Sequence, residues 1–286
     1  MKYAYFPGCS LHSTAREFDV STLAVCQTMG IELEEIPDWN CCGATSAHSM
    51  NKDLSIALPL RNLAKAEEMG LDVVAPCAAC YNRLRSADAA AKDHPDVVEP
   101  ISQKTGIRYN GTIEVFSLLQ AVSRLDPEEI KSRMKRDLKG LKVACYYGCL
   151  LLRPPSMVNF DDAENPRSLD NLMSTLGAEP IEWPYKTECC GASLSLSKVD
   201  HVIKLTHDIL SMAKRSGANC IVTACPLCHA NLDMRQAQVE EKYGEKFDIP
   251  IFYFTQLMGI SFGFFNNRLG LDKHMVSPDD VLIAIS

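Results

Sequence analysis

An α/β fold built as two similar halves follows from three features of the 286-residue sequence. Residues 1 to 125 lie over residues 142 to 260 as an internal duplication. Short apolar runs alternate with longer stretches of helical spacing, and the cysteines recur at matching offsets. "YAYFPGC" (3–9) matches "VACYYGC" (143–149), and "MGIELEEIPDWNCCG" (29–43) matches "LGAEPIEWPYKTECCG" (176–191) with one extra residue. "VVAPCAACYNRL" (73–84) matches "IVTACPLCHANL" (221–232), and "VFSLLQAV" (115–122) faintly echoes "YFTQLMGI" (253–260). From the second cysteine of each CC pair to the next cysteine is 35 residues in both halves.

The apolar runs Tyr3 to Phe6, Val73 to Ala75, Val143 to Tyr147 and Ile221 to Ala224 predict strands. "DHVIKLTHDILSMAKRSG" is the clearest helix: Asp200 can cap it, Val202, Leu205, Ile209 and Met212 share a face, and Lys214 and Arg215 precede a terminating Gly217. Strand alternating with helix predicts a parallel sheet made of βαβ units. Each half is then a small Rossmann-like layer, and the pair can pack about a pseudo-twofold axis. The expected domains are 1–126 and 142–286, joined by a charged, helical linker at 127–141.

With 47% hydrophobic residues the chain can bury a substantial core, and its formal charge of -7 excludes a broad basic face for nucleic acid or an anionic membrane. "MKYAYFPGCS" lacks the features of a signal peptide. The longest apolar run, "IFYFTQLMGISFGFF", is too short for a membrane span and reads as a buried closing strand and helix. A cytoplasmic location without membrane insertion is expected, where thiols stay reduced, so the thirteen cysteines read as metal ligands with a few buried fillers.

On this plan Cys9, Cys77, Cys149 and Cys225 lie just past strands, and Cys80 and Cys228 sit in the first turn of the following helices. Cys41/Cys42 and Cys189/Cys190 also stand before helices. All lie at the carboxyl edge of a parallel sheet, where α/β proteins place their ligands, so five thiols converge in each half. Gly43 and Gly191 permit close backbone approach, and helix N-termini favour thiolates or an anionic cluster. Structural zinc takes four ligands and would leave one thiol over in each half. Adjacent cysteines plus a CxxC drawn from three loops suit an iron–sulfur cluster better, and the ferredoxin spacing CxxCxxCxxxCP is absent. Cys26, Cys145 and Cys220 fall outside the pattern and read as small apolar fillers.

The set Cys9, Cys41, Cys42, Cys77, Cys80 with Cys149, Cys189, Cys190, Cys225, Cys228 resembles the CCG-domain family. As a stand-alone chain with two such domains, it is most similar to the B-type subunits of the heterodisulfide reductases of methanogenic archaea and their relatives. The likeness covers nearly the whole chain. The resemblance implies that each five-cysteine set holds a non-cubane 4Fe-4S cluster and that the two clusters face each other across the substrate. It implies reduction of the coenzyme M–coenzyme B disulfide to two thiols, each cluster binding one sulfur and supplying one electron. It also implies a separate ferredoxin-like subunit, a flavin-containing subunit, and a hydrogenase or formate dehydrogenase beyond them. Other relatives serve succinate, glycolate, lactate or glycerol 3-phosphate oxidation, so a non-catalytic electron relay or docking role is the competing reading.

The family substrate carries sulfonate, carboxylate and phosphate groups. Candidate cations for it are His12 and Arg16 after Cys9, His48 and Lys52 after the first CCG, and Arg153 in the insertion after Cys149, "LLRPPSMVNFDDAENP". Any one of them is also what a solvated or salt-bridged side chain looks like. Lys186 has a weaker claim, and His229 is placed to hydrogen-bond a cluster sulfur or to touch substrate.

Overall fold

The computed structural model describes residues 1–44 and 47–284. Among these, eight strands form two four-stranded sheets. β1 (Lys2–Tyr5), β2 (Glu32–Glu35), β3 (Val73–Ala75) and β4 (Val115–Ser117) make the first, in the order β2-β1-β3-β4. β5 (Lys142–Tyr146), β6 (Glu179–Pro180), β7 (Cys220–Thr223) and β8 (Ile251–Tyr253) make the second, in the order β6-β5-β7-β8. Every strand pair is parallel, and the duplication extends to register: Lys2 pairs with Glu32 as Lys142 pairs with Glu179. The α/β, two-domain Rossmann-like architecture with parallel sheets is therefore the observed one.

β1, β3, β5 and β7 occupy the expected apolar runs, and the inner strands β3 and β7 are buried along their whole length. β2, with the sequence ELEE, has no apolar run to mark it as a strand. It is a sheet edge, where charge is tolerated and discourages pairing with other chains, and Lys2 bridges Glu32 and Glu34 at 2.8 and 2.9 Å across it. The echo between "VFSLLQAV" and the C-terminal segment also shifts by two residues. Ladder register equates Val115 with Ile251, because Val73 faces Val115 as its counterpart Ile221 faces Ile251.

The helix Val199–Arg215 is rotated from expectation. Lys198 is its N-cap, while Asp200 lies in the first turn and pairs with Lys242 at 2.9 Å. Val202, Ile203, Thr206, Ile209, Leu210 and Ala213 form the buried face, and Leu205 and Met212 sit at its margin. The run from Ile251 to Phe262 is a buried strand and helix, as expected, and no helix among the described residues is long and apolar enough to cross a membrane.

The halves pack reciprocally. Helix Arg16–Thr28 of the first packs on helix Phe254–Ser261 of the second, and helix Ser168–Thr175 packs on helix Leu118–Val122 in the mirror relationship. At the first crossing Phe18 stacks on Tyr253 (4.1 Å between centroids, 4° between planes), and Tyr253 stacks on His229 from its other side (4.2 Å, 10°). The buried hydroxyls of Ser21 and Thr255 hydrogen-bond at 2.7 Å beside them. Helix Pro127–Arg133 connects the halves, capped by Asp126, and Lys135 and Arg136 then donate to the Ser261 carbonyl.

Candidate metal centre

β1 ends at Tyr5 and the chain turns at Pro7–Gly8 into the short helix Gly8–Leu11, which carries Cys9. The loop after β2 brings Cys41 and Cys42, and it is clamped by buried Asn62, which accepts from the Asn40 amide and donates to the Asn40 carbonyl, both at 2.9 Å. Cys77 is the N-cap of helix Ala78–Asp93, and Cys80 lies one turn inside. Cys42 and Cys80 sulfurs stand 3.4 Å apart. Thiol contacts also join Cys9 to Cys41, Cys41 to Cys42, and Cys77 to Cys80, so the five sulfurs form one continuous file.

The second half repeats this plan. Tyr147 and Gly148 donate their amides to the Lys186 carbonyl at 2.9 and 3.2 Å, which ties the Cys149 loop to the Cys189 loop. Asn231 donates to the Cys190 carbonyl at 2.9 Å. Cys225 caps helix Pro226–Met234, and Cys190 and Cys228 sulfurs lie 3.5 Å apart. The Gly43 and Gly191 amides reach the Cys41 and Cys189 sulfurs at 3.4 and 3.3 Å, the close approach expected of those glycines. Gly8 and Gly148 are two functional positions that the sequence reasoning missed. Both have left-handed φ, and a β-carbon there would stand 2.9 Å from Cys80 Sγ and 3.0 Å from Cys228 Sγ. The signal available was the glycine before cysteine in both "YAYFPGC" and "VACYYGC".

The thiols titrate unequally. Donation from Cys42, Cys9 and the Gly43 amide brings Cys41 down to about 2, while its partner Cys9 is pushed up because it keeps its proton as the donor. Cys149 plays the donor to Cys189, which falls to about 6. Each half thus presents a partly exposed thiolate at the sheet edge, the form that binds soft metals.

Across the boundary between halves, the Cys77 and Cys225 thiols lie close enough to shift each other's titration. Beside this junction lies a cavity of about 190 Å³. Cys149, Cys189, Cys225 and Cys228 line it from the second half, and His48 and Arg83 from the first.

The remaining predicted residues lie elsewhere. His12 is exposed, 3.4 Å from Glu35 and edge-on to Trp39. Arg16 and Lys52 are exposed at the first positions of their helices. Arg153 is drawn to Glu164 at 3.2 Å and to Thr187. Lys186 is buried and paired with Asp170 at 2.7 Å, and Tyr147 donates to the same carboxylate at 2.6 Å. His229 is fully buried, its pKa lowered to about 3 by desolvation, and its Nε2 has no partner among the described residues. Cys26, Cys145 and Cys220 are buried, and burial pushes each thiol up, Cys26 and Cys220 to about 12. Arg83 carries no signal in the sequence that sets it apart.

Five soft donors per half, touching in sequence, fit a multi-iron cluster better than a four-coordinate ion. Among the described residues no three side chains of ligand type are gathered around a single ion's position. The family model of the cysteine-rich domain matches residues 3–85 and 143–233, which contain all ten of these cysteines. The chain belongs to the cysteine-rich CCG domain family.

Several relatives span nearly the full length of the chain. The chain is 35% identical to the 8-methylmenaquinol:fumarate reductase membrane anchor subunit of Wolinella succinogenes, over 96% of this chain and 97% of that one. It is 30% identical to the B-type subunit of the ferredoxin/F420H2-dependent CoB-CoM heterodisulfide reductase of Methanosarcina acetivorans, over 99% and 97%. The crystal structure of a hypothetical protein from Helicobacter pylori has the same fold, with a TM-score of 0.76 at 12% identity. The match covers 96% of this chain and 52% of that one. Both of these full-length relatives are subunits of reductases.

Proposed function

We propose that the chain is the cluster-bearing subunit of a multisubunit oxidoreductase that reduces a small-molecule disulfide to two thiols, the coenzyme M–coenzyme B heterodisulfide being the family's example. The observation that carries this reading is the junction of Cys77 with Cys225 beside a cavity lined from both halves. Cys9, Cys41, Cys42, Cys77 and Cys80 would hold one cluster, and Cys149, Cys189, Cys190, Cys225 and Cys228 the other. Two non-cubane 4Fe-4S clusters supply one electron each, which matches the two electrons that an S–S bond takes up on cleavage. The protein's own part is to seat both sites on rigid sheet edges, bring them together at the interface of the halves, and shape a half-open, largely apolar cavity at the second. Electrons would arrive through a ferredoxin-like subunit, from a flavin-containing subunit with a hydrogenase or formate dehydrogenase behind it.

A second reading has its own support. The 35% identity to the Wolinella fumarate reductase subunit favours a relay or docking role in a quinol- and dicarboxylate-linked enzyme. So does a cavity with only His48 and Arg83 as cationic groups among the described residues, few for a substrate bearing sulfonate, carboxylate and phosphate. The test is anaerobic purification of the chain with its native partners, iron analysis, and assay of both activities. About eight irons per chain and thiol release from the heterodisulfide support the first reading. Intact clusters with no thiol release, but with quinol-dependent fumarate reduction, support the second. Zinc in place of iron overturns both.

A further inference from the structure

Arg83 lies in helix Ala78–Asp93, three residues after Cys80, and lines the cavity otherwise dominated by the second half's thiols. Its only partner among the described residues is the Asn82 Oδ1 at 2.9 Å, with no carboxylate at ion-pair distance. That is unlike its neighbours: Arg85, on the same helix, pairs with Asp88 at 2.9 Å, and Arg153 pairs with Glu164. Among the described residues no Asp or Glu lines the cavity. A partly buried guanidinium facing a half-open space without a carboxylate among the described residues lacks a protein counter-anion, and it offers a planar fork of donors suited to a carboxylate or sulfonate.

Asn82 fixes where that fork stands. It is buried, its Oδ1 accepts from Arg83, and its Nδ2 donates across the boundary to the carbonyls of Leu150 (3.1 Å) and Arg153 (2.8 Å). The loop that follows Cys149 is thereby tied to the residue that aims Arg83. The other half does not repeat this device. Its counterpart of Arg83 is Asn231, which is turned inward to the Cys190 carbonyl and carries no charge.

We infer that Arg83, positioned by Asn82, is the anion anchor of the cavity, and that it holds a carboxylate or sulfonate on a short arm of the entering molecule, on one side only. A volume of about 190 Å³ is roughly six water volumes at about 30 Å³ each, room for an arm of a few heavy atoms. The inference rests on reading this cavity as the substrate site.

The test separates the two. With the holo complex, equilibrium binding of mercaptoacetate and of uncharged mercaptoethanol is measured by calorimetry for the natural chain, Arg83→Met and Arg83→Lys, with the cluster spectrum checked in each. Losing a charged hydrogen-bonded pair is expected to weaken mercaptoacetate binding about 10- to 100-fold in Arg83→Met. Arg83→Lys should recover part of that loss, and mercaptoethanol binding should change less than about threefold. For a disulfide that turns over, KM for an anionic substrate should rise while KM for bis(2-hydroxyethyl) disulfide stays level. Equal effects on charged and uncharged probes, or none on either, overturn the inference. Arg83-dependent anion binding without disulfide turnover leaves it standing and overturns the disulfide reading instead.

Discussion

The Cys77 thiol meets the Cys225 thiol at the pseudo-twofold boundary, each the N-cap of the helix that follows the third strand of its own half. Two sites that would be separate in isolated domains thereby become neighbours. Cys77 is raised chiefly by Cys225, while Cys225 is lowered first by Cys228 and then by Cys77.

If each set of five holds its own cluster, ligand loss is local. Cys77→Ser and Cys225→Ser should each lower iron by about half, and the double variant should approach none. Iron analysis with electron paramagnetic resonance of the reduced protein reads this directly. Complete loss from either single variant would mean one shared centre.

Gly8 and Gly148 make a stricter test of the sulfur geometry. Alanine at either position meets a left-handed φ, worth about 1–2 kcal/mol, and also drives a methyl against Cys80 or Cys228. Each variant should lose thermal stability and cluster occupancy, Gly8→Ala at the first site and Gly148→Ala at the second. Alanine at Gly70 has a similar φ (+66°) but no atom within 4 Å of its β-carbon, so it should cost stability without costing iron.

Much of this arrangement is legible in the sequence because it is written twice. The 35-residue offset and the strand-then-cysteine order place all ten thiols at the sheet edges from the residues alone. What escapes depends on partners that sequence does not display. β2 is a strand because it lies beside β1, not because ELEE resembles one. Arg153 looks available in the sequence, but Glu164 folds onto it, whereas Arg83, only two residues from the ion-paired Arg85, faces the cavity alone. The burial face of helix Val199–Arg215 turns because its apolar stripe includes Thr206 and Ala213, which hydrophobicity alone ranks low.

Lys186 illustrates the same point from the opposite direction. Its position before Cys189 suggests substrate contact, yet its ammonium is enclosed with Asp170, whose second oxygen accepts from Tyr147. Removing one partner of a buried pair typically costs about 3–5 kcal/mol. Lys186→Met should therefore lower the unfolding midpoint sharply, and Lys186→Met with Asp170→Leu should recover part of the loss. Folded Lys186→Met protein should keep the natural KM, and a raised KM at unchanged stability would return Lys186 to the substrate.

Glu17 gives the chain a predictable pH dependence away from the thiols. Burial in helix Arg16–Thr28 raises its carboxyl above the ordinary value, against the lowering influence of its own backbone, the nearby Tyr253 hydroxyl and the more distant charge of Lys273. A raised acid keeps its proton in the folded chain after the unfolded chain has released one. Stability is therefore undiminished below the unfolded value of about 4.3 and falls as pH rises towards the folded value, then levels above it. Glu17→Gln removes this titration with little change of shape. In urea unfolding of the holo protein between pH 5 and pH 8, the natural chain should lose ground to the variant as pH rises through the raised value, after which the gap should stay constant. A gap that does not change with pH would assign the effect to packing of the Glu17 side chain, whose β-carbon lies where a side chain at Gly270 would have to go, rather than to the buried carboxyl.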